Sequence, residues 1–151
     1  MARPFNFTID RRITNRIIKF LLRYDLAPDI YYLLTVAGRV SGRPHAVPVV
    51  IVEEGDQRWL VAPYGAVDWV KNARISGKVQ LKQRKMKAKF TIHELSPQDA
   101  APILKKYVQE NPITRPYFDA NIDSPLSEFV EDARSRPVFE LSRIKDQVRE
   151  S

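Results

Sequence analysis

The stretch AVPVVIVEEGDQRWLVA, residues 46–62, decides the fold class of this chain. Two apolar runs, residues 46–53 and residues 58–62, flank the polar turn EEGDQ, which is the pattern of two strands in a β-hairpin. A third apolar run, YYLLTV at residues 31–36, precedes them. Three short strands therefore follow one another without an intervening helix. This order favours an antiparallel sheet and disfavours a Rossmann fold, in which helices alternate with strands.

The segments that follow extend this pattern. Residues 66–77 predict a short helix ended by its final glycine, and alternating apolar and basic residues over 78–92 predict a long hairpin with one core face and one basic face. Ser96 and Ser124, each followed by a proline at the first helical position, predict the N-caps of two further helices, and residues 137–141 predict a last strand. The order of elements predicts an α+β fold, a closed or half-closed antiparallel barrel with flanking helices.

The two ends of the chain differ from this central part. Residues 1–29 combine an apolar stripe at helical spacing with a strongly basic remaining surface, which predicts an N-terminal basic amphipathic helix. Each large apolar side chain contributes ~1.5–3 kcal/mol when buried, and each cation near anionic lipid adds about 1 kcal/mol. The stripe therefore docks the helix on the body of the protein, with peripheral membrane contact as an additional role. We predict a barrel domain over residues 30–142 and a charged tail over residues 143–151.

Composition narrows the class of protein. The 151 residues, 44% of them hydrophobic, suffice for one globular domain. No apolar run approaches the roughly 18 residues of a membrane span and the N-terminus lacks a signal-peptide pattern, so a cytoplasmic location is predicted. The chain has no cysteine and two histidines, which excludes disulfides and cysteine nucleophiles and argues against a zinc enzyme. We predict no metal site.

Charge is unevenly distributed along the chain. Residues 1–89 carry 17 basic and 7 acidic side chains, whereas residues 90–151 carry 8 and 11. This asymmetry indicates an anionic partner on the N-terminal side: nucleic acid, a membrane surface or an anionic cofactor. Nucleic acid is the least favoured, because Phe90 is the one aromatic residue near the lysine-rich hairpin and single strands need a stacking platform.

The stretch GRVSGRPHAVPV, residues 38–49, is the first candidate site. Gly38 and Gly42 permit close approach of a ligand to backbone amides, and Ser41 adds a hydroxyl donor. Arg39 and Arg43 add planar, permanently charged groups suited to phosphate or carboxylate. The alternative interpretation is a β-turn with two solvent-exposed arginines.

The stretch LVAPYGAVDWVKN, residues 60–72, is the second candidate site. A strand, a glycine-containing turn and a helix N-terminus follow one another, and this arrangement often binds anions. Trp69 and Asn72 lie three residues apart and so share a face of the helix. The alternative interpretation is a core tryptophan beside a surface amide.

Three segments together resemble the deazaflavin-dependent nitroreductase family: LLTVAGRVSGRPHAVPV, WLVAPYGAVDWVKNAR and RPVFEL. The resemblance covers about residues 30–141 and implies an antiparallel split β-barrel of the FMN-binding type. It also implies binding of coenzyme F420, a strongly anionic deazaflavin. The implied reaction is hydride transfer to a small-molecule acceptor such as a quinone, a nitro compound or an activated alkene.

The resemblance also assigns roles to residues. It implies that the 38–43 loop holds the phosphate and tail of F420, that two residues of the next strand line the cofactor, and that the turn after the third strand contacts the deazaflavin through its backbone. Tyr64 is the candidate proton donor, with water as the alternative, and Tyr117 and Phe118 are candidates for the acceptor pocket, with packing between helices as the alternative. The implied cofactor-binding residues are Gly38, Arg39, Ser41, Gly42, Arg43, His45, Pro48, Ala62, Pro63, Tyr64, Gly65, Trp69 and Asn72.

The sequence departs from better-studied members of that family at three places. Val40 replaces a lysine, His45 replaces an arginine, and the turn at residues 63–65 reads Pro-Tyr-Gly in place of Ser-Lys-Gly. Each lost charge-assisted hydrogen bond costs about 1.5–3 kcal/mol. Either Arg43 or the basic hairpin, with Lys82, Arg84 and Lys85, compensates, or the cofactor is FMN and the protein is an FMN-binding split-barrel oxidoreductase or a flavin carrier. The sequence leaves open whether the protein is a monomer or a homodimer.

Overall fold

A computed structural model describes residues 16–19, 21 and 30–145. Residues 16–19 and 21 are helical, and the remainder of the predicted N-terminal helix and residues 146–151 of the predicted tail lie outside the described residues. The strands are β1 (Tyr32–Ala37), β2 (Pro44–Val49), β3 (Ile51–Glu54), β4 (Gln57–Val61), β5 (Lys78–Gln83), β6 (Met86–Glu94) and β7 (Val138–Arg143). The helices are α1 (Asp68–Ser76), α2 (Pro97–Glu110) and α3 (Leu126–Ala133), with a 3-10 helix at Pro112–Tyr117.

The seven strands form one antiparallel sheet in the order β2-β1-β5-β6-β7-β4-β3. The two edge strands, β2 and β3, are consecutive in the chain and are joined by Val50 alone. Because one residue spans less than about 4 Å, the end of β2 and the start of β3 are close together, and the sheet curls until its two edge strands meet at Val50. β2 pairs with β1 and β3 pairs with β4, and the barrel is therefore split along the line between its edges. The predicted split-barrel fold is confirmed.

The curled sheet encloses one apolar interior to which all seven strands contribute. Alternate side chains point inward, and Leu34 of β1, Leu81 of β5 and Phe139 of β7 are almost fully buried there. Val70 and Ala73 of α1 belong to the same cluster, so α1 packs directly against the barrel interior. This contact fixes α1 beside the loop between β1 and β2.

A second apolar layer lies on the outer face of β3, β4 and β7. Val61 and Val138 face α2 and α3, whose Leu104 and Phe129 are fully buried. β4 and β7 are therefore covered on both faces. This explains why their sequences are apolar without strict alternation.

Most predicted element boundaries agree with the structure, and two predictions are wrong. Residues 46–53 do not form one strand, because the chain leaves its pairing with β1 at Val50 and then pairs with β4. Ser124 does not cap α3: its hydroxyl accepts the Asn121 N–H at 2.9 Å within the preceding turn, and Pro125 occupies the cap position. Ser96 does cap α2, and its hydroxyl accepts the Asp99 N–H at 3.2 Å.

Candidate functional site

The β1–β2 connection, residues 38–43, is hereafter the hairpin loop. Its backbone closes on itself: Gly38 N–H donates to the Arg43 carbonyl at 2.8 Å, and Gly42 N–H donates to the Gly38 carbonyl at 2.9 Å. Arg43 N–H also donates to the Ser41 hydroxyl at 3.1 Å. Gly42 has φ +73° and open space around its Cα, so the loop needs a glycine there and leaves that backbone accessible. The loop is ordered by its own hydrogen bonds.

His45 lies against the base of the hairpin loop. A Cβ at Gly38 would come within 2.8 Å of His45 Nε2, so Gly38 is needed for this close approach. His45 pairs with Val36 and shares its face of β2 with Val47 and Val49, which pack against the barrel interior. Pro48 is on the opposite face of β2, because successive side chains alternate. The structure thus places His45 at the loop but turns Pro48 away from it.

Asn72 joins the hairpin loop to α1. Its Oδ1 accepts the Arg39 backbone N–H at 3.0 Å and Arg39 Nη1 at 2.7 Å, and Asn72 itself is 5% exposed. Arg39 Nη2 also lies 3.4 Å from Asp68 Oδ1, in the first turn of α1. The Asp68 carboxylate is 84% exposed, so this ion pair is a weak contact. The buried amide is therefore the main anchor of Arg39.

Residues 62–65 of the second candidate site are hereafter called the Pro-Tyr-Gly turn. The turn precedes α1, which begins at Asp68. Gly65 has φ +86°, and its N–H donates to the Ala62 carbonyl at 3.2 Å. Ala62 N–H donates to the Pro137 carbonyl at 3.0 Å, which ties the turn to the start of β7. Ala62 and Pro63 are buried, and Tyr64 and Gly65 are half-buried. Asn72 anchors the hairpin loop to the helix that this turn begins, so the two candidate segments lie at one end of the barrel.

Trp69 and Asn72 have different surroundings although both lie on α1. The Trp69 ring packs against the barrel interior, with its centroid 6.1 Å from that of Phe139. This is the packing expected of a core tryptophan, and a cofactor contact by Trp69 stays a prediction. Asn72 meets the hairpin loop instead.

The two predicted acceptor-pocket residues also separate. Tyr117 is half-buried and meets Tyr64 edge-on, with ring centroids 4.9 Å apart and planes at 89°. Phe118 is buried in the second apolar layer between Tyr107 and the Arg136 guanidinium, which lies 5.2 Å from the Phe118 ring centroid. The structure therefore places Tyr117 next to the Pro-Tyr-Gly turn and gives Phe118 a packing position.

Sequence reasoning missed one buried charged residue near this site. Asp132, 2% exposed, accepts the backbone N–H groups of Asp119 at 3.2 Å and Ala120 at 2.9 Å, and Arg136 Nη1 at 3.2 Å. The available signal was an acidic residue four positions before an arginine at the end of a predicted helix. That spacing usually marks an exposed pair, so it does not reveal the two backbone contacts.

The residues at this end of the barrel fit an anionic ligand. Arg39 and Arg43 supply guanidinium groups and Ser41 supplies a hydroxyl, whereas the Gly42 N–H already donates to the Gly38 carbonyl. Guanidinium and hydroxyl donors bind phosphate and carboxylate in proteins. A strongly anionic cofactor is thus compatible with the donors present.

Comparison with known proteins identifies the family. The family model described as F420H(2)-dependent quinone reductase matches residues 19–132. The chain therefore belongs to the F420H(2)-dependent quinone reductase family, and it is an oxidoreductase that uses F420. No curated protein matches the chain.

Solved structures share the fold. An F420-H2 dependent reductase is 24% identical, with a TM-score of 0.53 over 75% of this chain and 94% of its own. A chain described as a domain-swapped dimer is 20% identical, with a TM-score of 0.57 over 89% of this chain and 100% of its own. An F420 reductase is 14% identical, with a TM-score of 0.50 over 84% of this chain and 93% of its own. Likeness at these identities supports the split barrel alone.

A membrane-spanning helix is not found within residues 16–19, 21 and 30–145, where no helix is both long and apolar enough to cross a bilayer.

Proposed function

We propose that this protein binds F420H2 between the hairpin loop and the Pro-Tyr-Gly turn and reduces an electron-poor small molecule of the quinone class. The observation that carries the proposal is the Asn72 anchor. It holds the cationic hairpin loop on the helix that begins after the turn. The hairpin loop and the turn are thereby held at the same end of the barrel.

The hairpin loop supplies the anion-binding groups. Arg39 offers a fixed guanidinium, because Asn72 already holds its backbone and side chain. Arg43 and Ser41 add a second cation and a hydroxyl next to Gly42. Val40, at the loop tip, is 95% exposed, so the position where other members carry a lysine extends into solvent. We infer that Arg43, in the same loop, takes the place of that lysine.

The Pro-Tyr-Gly turn forms the side of the proposed site where the acceptor binds and receives its proton. F420H2 supplies a hydride when it is bound, and the protein orients the two reactants and limits access of water. Tyr64 and Tyr117 form an aromatic wall beside the turn. We propose that the Tyr64 hydroxyl donates the proton that the reduced acceptor needs. A Tyr64→Phe variant should lower kcat tenfold or more while leaving F420 affinity within about twofold, and unchanged kcat would assign the proton to water.

Titration with F420 tests the binding proposal. Purified protein is titrated with F420 and, under identical conditions, with FMN, and binding is followed by fluorescence. We expect micromolar or tighter binding of F420 and at least tenfold weaker binding of FMN. Stronger binding of FMN would show that the changes at residues 40, 45 and 63–65 have altered the cofactor. If neither F420 nor FMN binds, the proposed cofactor site is refuted.

A pair of arginine variants locates the site. Arg39→Ala removes the anchored guanidinium and should weaken F420 binding by one to two factors of ten, the equivalent of about 1.5–3 kcal/mol for one charge-assisted contact. Arg134→Ala is the matched control: it removes the same charge from an exposed side chain whose ion-pair partner is Glu131. Equal losses in both variants would indicate a general effect of net charge and would contradict the site.

Finer properties of the protein remain predictions with direct tests. One structural neighbour is described as a domain-swapped dimer, which supports a homodimer here, and light scattering decides between monomer and dimer. We propose a cytoplasmic location with peripheral lipid contact through residues 1–29. Binding to anionic vesicles by the full chain, and not by a chain without residues 1–29, would support that contact.

A further inference from the structure

We propose that Asp132 is a positioning residue for the acceptor side of the site, and that it acts by holding Tyr117 against Tyr64. This inference rests on the proposed function. Asp132 lies on α3, and the hydrogen-bond donors to its carboxylate come from residues 119, 120 and 136, in the segments beside Tyr117 and the turn.

The first step is the fixation of residues 117–120. Tyr117 ends the 3-10 helix and the Phe118 N–H donates to the Arg115 carbonyl at 3.1 Å, whereas Asp119 and Ala120 lie outside any helix or strand and their N–H groups need another acceptor. Both oxygens of the Asp132 carboxylate serve this purpose: Oδ1 accepts Asp119 N–H and Oδ2 accepts Ala120 N–H. Tyr117 lies two residues before Asp119, at the end of the 3-10 helix. Fixation of Asp119 and Ala120 by the buried carboxylate therefore restrains Tyr117 in its position against Tyr64.

The second step is the fixation of residues 135–137. Arg136 Nη1 donates to Asp132 Oδ1 at 3.2 Å and to Ser135 Oγ at 3.1 Å, and the Arg136 side chain is 15% exposed. A Cβ at Gly65 would lie 3.3 Å from the Ser135 carbonyl oxygen, so the turn packs closely on this segment. The same carboxylate thus supports both sides of the Tyr64–Tyr117 contact.

Charge balance explains why an aspartate suits this position. A buried carboxylate is costly unless it is paired and hydrogen-bonded, and Asp132 has both kinds of partner. The Arg39–Asn72 anchor belongs to other elements, β1–β2 and α1. Loss of the Asp132 charge should therefore disturb acceptor binding more than F420 binding, because the charged groups proposed to hold F420 lie on the hairpin loop.

The experiment uses Asp132→Asn in the full-length protein. The variant is compared with wild type for F420 affinity, for KM and kcat with menadione as the quinone probe, and for amide hydrogen exchange at Asp119 and Ala120. We expect the KM for menadione to rise about tenfold, because small displacements of a binding wall have large effects. We expect kcat within threefold, F420 affinity within twofold, and faster exchange at both amides with unchanged exchange at Arg39.

Two further variants keep the proposal testable if Asp132→Asn fails to fold. Arg136→Gln removes the ion-pair partner of Asp132 and should raise the KM for menadione. Arg136→Lys keeps the charge and should hold that KM close to the wild-type value. Faster exchange at both amides with unchanged KM in Asp132→Asn, or equal KM in the two Arg136 variants, would overturn the proposal. A loss of F420 affinity as large as the change in KM would also overturn the proposal.

Failure of this inference can be told apart from failure of the proposed function. If wild type does not bind F420, the proposed function fails and this inference fails with it. If wild type binds F420 and the KM for menadione does not change in the variants, only the inference fails.

Discussion

Replacement of Asn72 by alanine tests whether a buried amide organises the cofactor site. Its Oδ1 accepts two hydrogen bonds from Arg39, one from a neutral backbone N–H and one from the guanidinium. The neutral bond contributes about 1 kcal/mol and the charge-assisted bond about 1.5–3 kcal/mol, and water compensates part of the second because Arg39 is partly exposed. A net loss of about 2 kcal/mol is expected, which corresponds to a roughly 30-fold weaker F420 affinity.

The assay is a fluorescence titration of F420 against Asn72→Ala at fixed ionic strength, at a temperature where circular dichroism shows that the variant is folded. Asp68→Asn is the matched control on the same helix. It removes the weaker, exposed partner of Arg39, and we expect its F420 affinity to stay the same or to rise up to about threefold, because a competing anion has been removed. An Asn72→Ala affinity within threefold of wild type would refute the anchoring argument.

Three further predictions concern stability. Burial and the hydrogen bond to Glu53 raise the pKa of Tyr32 to about 12. This raised pKa stabilises the fold fully below pH 10, and the stabilisation is lost as pH rises toward 12. In urea unfolding the advantage of wild type over Tyr32→Phe should therefore shrink by about 1 kcal/mol between pH 9 and pH 11, and a constant difference would contradict the assignment. Gly65→Ala should lower the free energy of unfolding by about 1–2 kcal/mol, because a Cβ at φ +86° is strained; a loss under about 0.5 kcal/mol would show that the turn adapts. Gly38→Ala should change stability by less than about 0.5 kcal/mol, since the exposed His45 ring can rotate away, yet it should weaken F420 binding several-fold in a titration. If Gly38→Ala binds F420 with the same affinity as wild type, the position of His45 has no role in cofactor binding.

Much of the fold was predictable because it depends on local patterns. Alternation over residues 78–92 identified the β5–β6 hairpin, and the final glycine of residues 66–77 ends α1 in the left-handed conformation. The division of residues 46–53 at Val50 could not be seen in the sequence. A change of pairing partner from β1 to β4 depends on the closure of the whole sheet, and both halves of the segment are equally apolar.

The candidate site was predictable only in part for the same reason. The hairpin loop and the turn were recognisable from glycines and cations, and their meeting at one end of the barrel follows from the fold. The different surroundings of Trp69 and Asn72 follow from the place of α1, which packs on the barrel interior and contacts the hairpin loop. The partners of Asp132 lie 12 and 13 residues away, beyond the reach of helical spacing.

Val50 is the one residue that connects the two edge strands, β2 and β3, of the split barrel. The edges that it connects share no ladder of strand pairs, whereas the Tyr32 hydroxyl of β1 reaches Glu53 of β3 across the gap at 2.9 Å. Rotation about the backbone of Val50 would therefore separate the two edges at the cost of the Tyr32–Glu53 hydrogen bond, while every backbone ladder between paired strands stays intact. The six paired strand interfaces would keep their register during such a movement.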